Sequence, residues 1–200
     1  MIIKLFCNKT AQKSLFFLTL FVFSFNLFSQ NEFITTWKTD NPGTSSDTSI
    51  TIPTFVGETY NYDVDWDNDG TFDEFGVTGD VTHDFGSAGT YTIRIQGAFP
   101  RIAFNFGVDV QKIISIDQWG TIAWSSMSSA FGGATNLVGN ASDAPNLSGV
   151  TDMSNMFTGT TLFNQDLSSW DVEVVTNCVT FSDNTPSWTL PRPNFTNCTP

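Results

Sequence analysis

The chemistry-bearing side chains are densest in Asp65-Trp66-Asp67-Asn68-Asp69-Gly70-Thr71-Phe72-Asp73-Glu74. Alternate aspartates before a glycine can wrap oxygen ligands around Ca²⁺. Asp65, Asp67 and Asp69 would stand at loop positions 1, 3 and 5, Gly70 would make the sharp turn, Thr71 would offer its carbonyl and Asp73 would take position 9. Position 12 is Gly76 instead of a bidentate glutamate, so the loop is not a complete EF-hand, and Glu74 is the nearby substitute. The alternative is a hairpin whose aspartates satisfy turn amides and face water, because Asp-Gly is a strong hairpin signal without any metal. Five acids in ten residues repel one another, which argues mildly for a cation.

No catalytic constellation stands out elsewhere. His83 is the single histidine and lies in an alternating run with no second histidine, serine-base pair or free cysteine near it in sequence, so it reads as a satisfied strand residue. Any two of the 20 acids could meet at the separation that glycoside cleavage needs, but nothing singles out a pair. A non-enzymatic protein is therefore expected, with a secreted polysaccharide-active enzyme as the remote alternative.

Charge and targeting narrow the setting. The 200 residues carry 8 Lys+Arg against 20 Asp+Glu, net −12, with no basic run, which argues against direct nucleic-acid binding. Residues 1–29 contain Lys4, Lys9 and Lys13, no acid, and then the apolar run from Ser14 to Phe25, with Ser29 as a small residue at a cleavage point before Gln30. This is the pattern of a secretory signal peptide; the run, broken by Asn26, is short for a bilayer span. Cys7 precedes the apolar run, whereas a lipid-attachment cysteine would follow it. Cleavage would remove three basic residues and leave 5 against 20 acids, net −15. It would also leave Cys178 and Cys198, an even count in an oxidising compartment, expected to form a disulfide; two free thiols are the competing reading.

The elements that must hold these residues differ along the chain. Residues 33–37, 49–52, 60–66, 80–85 and 90–95 alternate and are rich in aromatic and β-branched side chains, with Asn41-Pro42-Gly43, Asp69-Gly70 and Gly86-Ser87-Ala88-Gly89 between them. These runs predict a small antiparallel sandwich, since one sheet alone would leave a face unpacked. Val64-Asp65-Trp66, the Asp69-Gly70 turn, Val81-Thr82-His83-Asp84-Phe85 and Gly89-Thr90-Tyr91-Thr92-Ile93 together resemble the PKD-type immunoglobulin-like module. That family usually shows Trp-Gly-Asp-Gly where this chain has the longer, more acidic Trp66-Asp67-Asn68-Asp69-Gly70. The resemblance implies a β-sandwich acting as an extracellular spacer or binding unit.

After about residue 118 the texture turns to Ser, Asn, Thr and Met with spaced apolar residues. Val150-Thr151-Asp152-Met153 matches Val175-Thr176-Asn177-Cys178 at a spacing of 25, and Met127 to Phe131 matches Met153 to Phe157 at 26. Such a period predicts units that bury their apolar faces against neighbours, as in a short solenoid. Trp119, Trp124, Phe131, Phe157, Phe163, Trp170 and Phe181 recur with it as expected core, the alternative being a stacking platform. Met153-Ser154-Asn155-Met156-Phe157 followed by Phe163-Asn164-Gln165-Asp166-Leu167-Ser168-Ser169-Trp170-Asp171-Val172 resembles the BspA-type leucine-rich-repeat surface proteins (DUF285) of bacterial envelopes. The resemblance implies a secreted or surface-displayed protein and, for some members, adhesion.

The expected organisation is thus a signal peptide over 1–29, a PKD-like β-sandwich over 30–116 and a BspA-type leucine-rich-repeat-like region with a C-terminal cap over 117–200. The expected function is adhesion or recognition of an extracellular protein or polysaccharide, with a ligand-free envelope spacer as the alternative. Asp65, Asp67, Asp69 and Asp73 are the candidate Ca²⁺ ligands.

Overall fold

The computed structural model describes residues 31–200, so the expected leader and Cys7 lie outside the described residues. The fold is mainly β, with no helix among the described residues and hence none long and apolar enough to cross a membrane. Eight strands form: β1 (Phe33–Lys38), β2 (Ser49–Ile52), β3 (Asn61–Asp65), β4 (Glu74–Val77), β5 (Val81–Asp84), β6 (Thr90–Ala98), β7 (Ile113–Gln118) and β8 (Val138–Gly139). One open sheet runs β4-β3-β6-β1-β7-β8 and a second pairs β2 with β5. β1 shows why the alternating runs become strands: Phe33, Thr35 and Trp37 are buried while Ile34, Thr36 and Lys38 are half-buried on the opposite face. β2 contributes Ile50 and Ile52, both buried in the same core cluster as Trp37, Tyr62, Ile93 and Ile95.

Beyond β6 the chain winds in stacked coils. Amides of Met127, Ser129, Phe131 and Gly133 donate to the carbonyls of Asp152, Ser154, Met156 and Thr158 at 2.8–3.0 Å. Those of Met153, Asn155, Phe157 and Gly159 donate in turn to Asn177, Val179, Phe181 and Asp183 at 2.8–3.0 Å. Because a parallel ladder joins an amide to the carbonyl one residue before its equivalent, these bonds align positions 26 and then 25 apart, the spacings seen in the sequence. The ladder reaches back to Phe104 and Phe106, whose amides donate to Ala130 and Gly132 at 3.2 Å. Each coil turns through two left-handed residues: Ser129 and Gly133, Asn155 and Gly159, Thr180 and Asn184.

Aromatic rings fill the coils. Phe131 stacks on Phe157 at 5.7 Å, and Phe157 in turn packs on Phe163 at 4.4 Å and on Phe181 and Trp188, each at 5.5 Å. Trp119 and Trp124 reach Phe33 of β1 at 5.7 and 5.1 Å, so one continuous core joins sheet and coils. All seven recurring aromatics are 5% exposed or less, which places their rings in the core instead of on a surface platform.

A buried ion pair ties the loop after β1 to the segment before β7. Asp109 accepts from the amides of Thr44 (2.8 Å), Ser45 (3.0 Å) and Thr51 (2.7 Å). Lys112, 4.0 Å from Asp109, donates to the carbonyls of Ser45, Ser46 and Ser49 and to the Ser45 hydroxyl at 2.7–3.1 Å. Gly43 passes so close that a Cβ there would lie 2.4 Å from the Asp109 carboxylate.

Candidate functional site

The aspartate-rich loop connects β3 to β4, and its own carboxylates shape it. Asp65, fully buried at the end of β3, accepts from the amides of Asp69 (3.3 Å) and Gly70 (2.9 Å). Asp67 accepts from Asp69, Asp69 from Thr71, and Asp73 from the amide of Trp66 at 2.9 Å. Asn68 and Gly70 take left-handed conformations, φ 59° and 95°, that let the chain reverse twice within this stretch. The cross-strand partner of Asp65 is Arg94 on β6; the two form a buried ion pair at 3.4 Å, and Arg94 Nε donates to Asn68 Oδ1.

Three of the four candidate Ca²⁺ ligands converge. One carboxylate oxygen each from Asp65, Asp67 and Asp73 lies within 4.8 Å of the others, whereas Asp69 is engaged with Thr71 and stands outside this group. Glu74 Oε2 accepts from the Trp66 indole at 3.1 Å, and Gly76, at loop position 12, donates its amide to Asp63. Crowding leaves an electrostatic mark: local desolvation, then the neighbouring charge of Asp69, push the Asp67 carboxyl above its ordinary range. Three carboxylates fit part of a Ca²⁺ shell, which takes six to eight oxygens.

Beside this loop lies a cleft whose residues come from separate parts of the sequence. Trp66, Asp67, Asp73, His83, Phe85 and Tyr91 line a cleft of about 250 Å³. Trp66 and Tyr91 belong to the larger sheet and its loop, His83 and Phe85 to β5 and its end, so the cleft opens where the two sheets meet. His83 lies flat on Trp66, centroids 4.5 Å apart and planes 12° apart, and Phe85 stacks on Tyr91 at 3.8 Å. Phe85 closes the row against His83 edge-on at 4.7 Å. The i, i+2 spacing of His83 and Phe85 was the available signal, since it puts both on one face of a strand; their pairing with Trp66 and Tyr91 is tertiary.

At the far end of the coils Cys178, fully buried, is joined to Cys198 by a disulfide that closes 20 residues of chain. The closing segment also donates the amides of Thr189 and Leu190 to Asn164 Oδ1, both at 3.0 Å, and the Trp188 indole donates to the carbonyl of Gln165 at 2.9 Å. A second cleft, about 410 Å³, lies there between Trp170, Asp171 and Glu173 on one side and Asn194 and Thr196 on the other.

No curated protein and no solved structure matches the chain significantly. Residues 100–195, which span the stacked coils, match the model of the family described as "Mycoplasma protein of unknown function, DUF285".

Proposed function

We propose that this is an exported, non-enzymatic recognition protein, in which a PKD-like β-sandwich carries a short leucine-rich-repeat-like solenoid of the BspA type at the bacterial surface. The observation that carries this reading is the stacking register of the coils. It buries the aromatic rings as core and sets half-buried polar side chains of successive coils against one another: Ser128 beside Ser154 (3.1 Å), and Thr180 donating to Asn155 (2.6 Å). Half-buried hydroxyl and amide groups held in pairs by the coil backbone suit the polar surface of a protein or polysaccharide, because little side-chain entropy remains to be lost on binding. The disulfide and the excess of acids over bases suit an oxidising, cation-rich exterior.

Arrays of glycans and of extracellular-matrix proteins probed with the purified chain test the proposal. Saturable binding to a protein or glycan supports it. Flat curves across both arrays favour the envelope-spacer reading.

The convergence of Asp65, Asp67 and Asp73 favours a second, narrower role for Ca²⁺ as a brace of the β3–β4 loop. Millimolar Ca²⁺ should then raise the melting temperature of the wild type and leave that of Asp67→Ala unmoved. An unmoved wild type removes the site.

A further inference from the structure

We infer that the cleft between the two sheets, lined by Trp66, His83, Phe85 and Tyr91 and edged by Asp67 and Asp73, receives a basic side chain, arginine above all, of a partner polypeptide. This inference deepens the recognition reading and rests on it. The shape suits one side chain: about 250 Å³ is small against the ligand pockets of drug-sized molecules, roughly 300–1,000 Å³. The walls are aromatic, with half-buried rings of His83, Phe85 and Tyr91, and a cation beside such rings is attracted by their quadrupoles. The exposed edge is negative, and arginine matches it, because its planar guanidinium both stacks on rings and forks onto a carboxylate.

A sugar fits less well. Carbohydrate hydroxyls need donors as well as acceptors, and two of the donors lining this cleft are already engaged: the Trp66 indole with Glu74, and the Tyr91 hydroxyl with Ser87. The nearest buried base, Arg94, is held on Asp65 and Asn68, which leaves the carboxylates of Asp67 and Asp73 to set the sign of the edge.

His83 reports directly on the cleft, since the chain has one histidine and its imidazole proton signals need no further assignment. The experiment is an NMR titration of the full chain, in chelator so that Ca²⁺ does not compete for Asp67 and Asp73. The probes are Nα-acetyl-arginine amide, its uncharged counterpart Nα-acetyl-citrulline amide, and N-acetylglucosamine. The arginine probe should shift the His83 signals saturably, with half-saturation on the order of 1–10 mM. The other two should not saturate. Asp73→Asn keeps an acceptor for the Trp66 amide and should weaken the arginine probe about fivefold, as should Asp67→Asn, with the starting His83 signals in place. Equal binding of the citrulline probe, saturation by the sugar alone, or no saturation by the arginine probe overturns the inference. If the arrays still show a saturable partner in any of those cases, the recognition reading stands and only the cleft is removed from it.

Discussion

The sheet region and the stacked coils solve the same problem, burying a modest amount of apolar surface, by different means. Strands β1, β3 and β6 pair over long sequence distances, as Phe33 with Ile95 and Asn61 with Ala98 do, and the loops of this region are held by charge. Among the described residues the three ion pairs, Lys38 with Asp40, Arg94 with Asp65 and Lys112 with Asp109, all lie before Ile113. The coils rely on backbone rungs to the next coil and on a column of aromatic rings. Directional electrostatics thus shape the loops of one region and non-directional burial the body of the other. The cleft and the acidic loop sit in the first, where side chains carry charge to spare.

Breaking the Asp109–Lys112 clasp should have the largest effect. Lys112→Met leaves a buried carboxylate without its cation, a loss of about 3–5 kcal/mol read as a lower urea midpoint. The pH dependence has a defined sign. Burial alone would raise the Asp109 carboxyl, but the Ser45 amide and hydroxyl, the Lys112 charge and the Thr51 amide outweigh it and hold its pKa below the ordinary 3.8. Its stabilising contribution is therefore present above pH about 4 and is lost as pH falls below that, through the folded-state value. Asp109→Asn should flatten the acid limb of the stability curve.

Phe157→Ala attacks the coils at the ring that touches the most other aromatics, and should cost about 3–4 kcal/mol. Hydrogen exchange then sharpens the contrast: protection of the Met127–Gly133 rungs should fall further than that of the Phe33–Lys38 strand. Equal loss in both would mean that the two regions open as one unit. Reducing the Cys178–Cys198 bridge, which closes 20 residues, should cost about 3 kcal/mol, measured as a drop in melting temperature with the Asp65 loop unaffected. The smallest effect belongs to Gly159→Ala. Its φ of 76° penalises a side chain, yet the nearest atom to an added Cβ is an ordinary 3.8 Å away, so the conformational cost of about 1 kcal/mol appears alone.

The periodic parts of the fold were legible in the sequence, because local repetition encodes them. Five alternating runs anticipated β1, β2, β3, β5 and β6, and the spacings of 26 and 25 reappear as ladder rungs. β4 was not anticipated. Glu74-Phe75-Gly76-Val77 has a glycine inside it and no buried residue, so it carries no hydrophobic alternation to detect. β7 was missed for another reason: Ile113-Ile114-Ser115-Ile116 finds its partner in β1, nearly eighty residues earlier, and local pattern does not specify that register. Asp109 and Lys112, three apart, carry no local signal of burial, because their partners in the 44–51 loop lie about sixty residues earlier in the chain. In the acidic loop, sequence spacing brought Asp65, Asp67 and Asp73 together but could not reveal that Asp69 would cap Thr71 or that Arg94 would pair with Asp65.

An exported recognition protein must work outside the cytosol, where a disulfide persists. Fractionating native cells and sequencing the protein's N-terminus by mass spectrometry tests this most directly. Export predicts a form beginning near Gln30, with Cys178 and Cys198 oxidised, in the envelope or medium. A cytosolic pool that retains the apolar run from Ser14 to Phe25 and carries both cysteines reduced would contradict it.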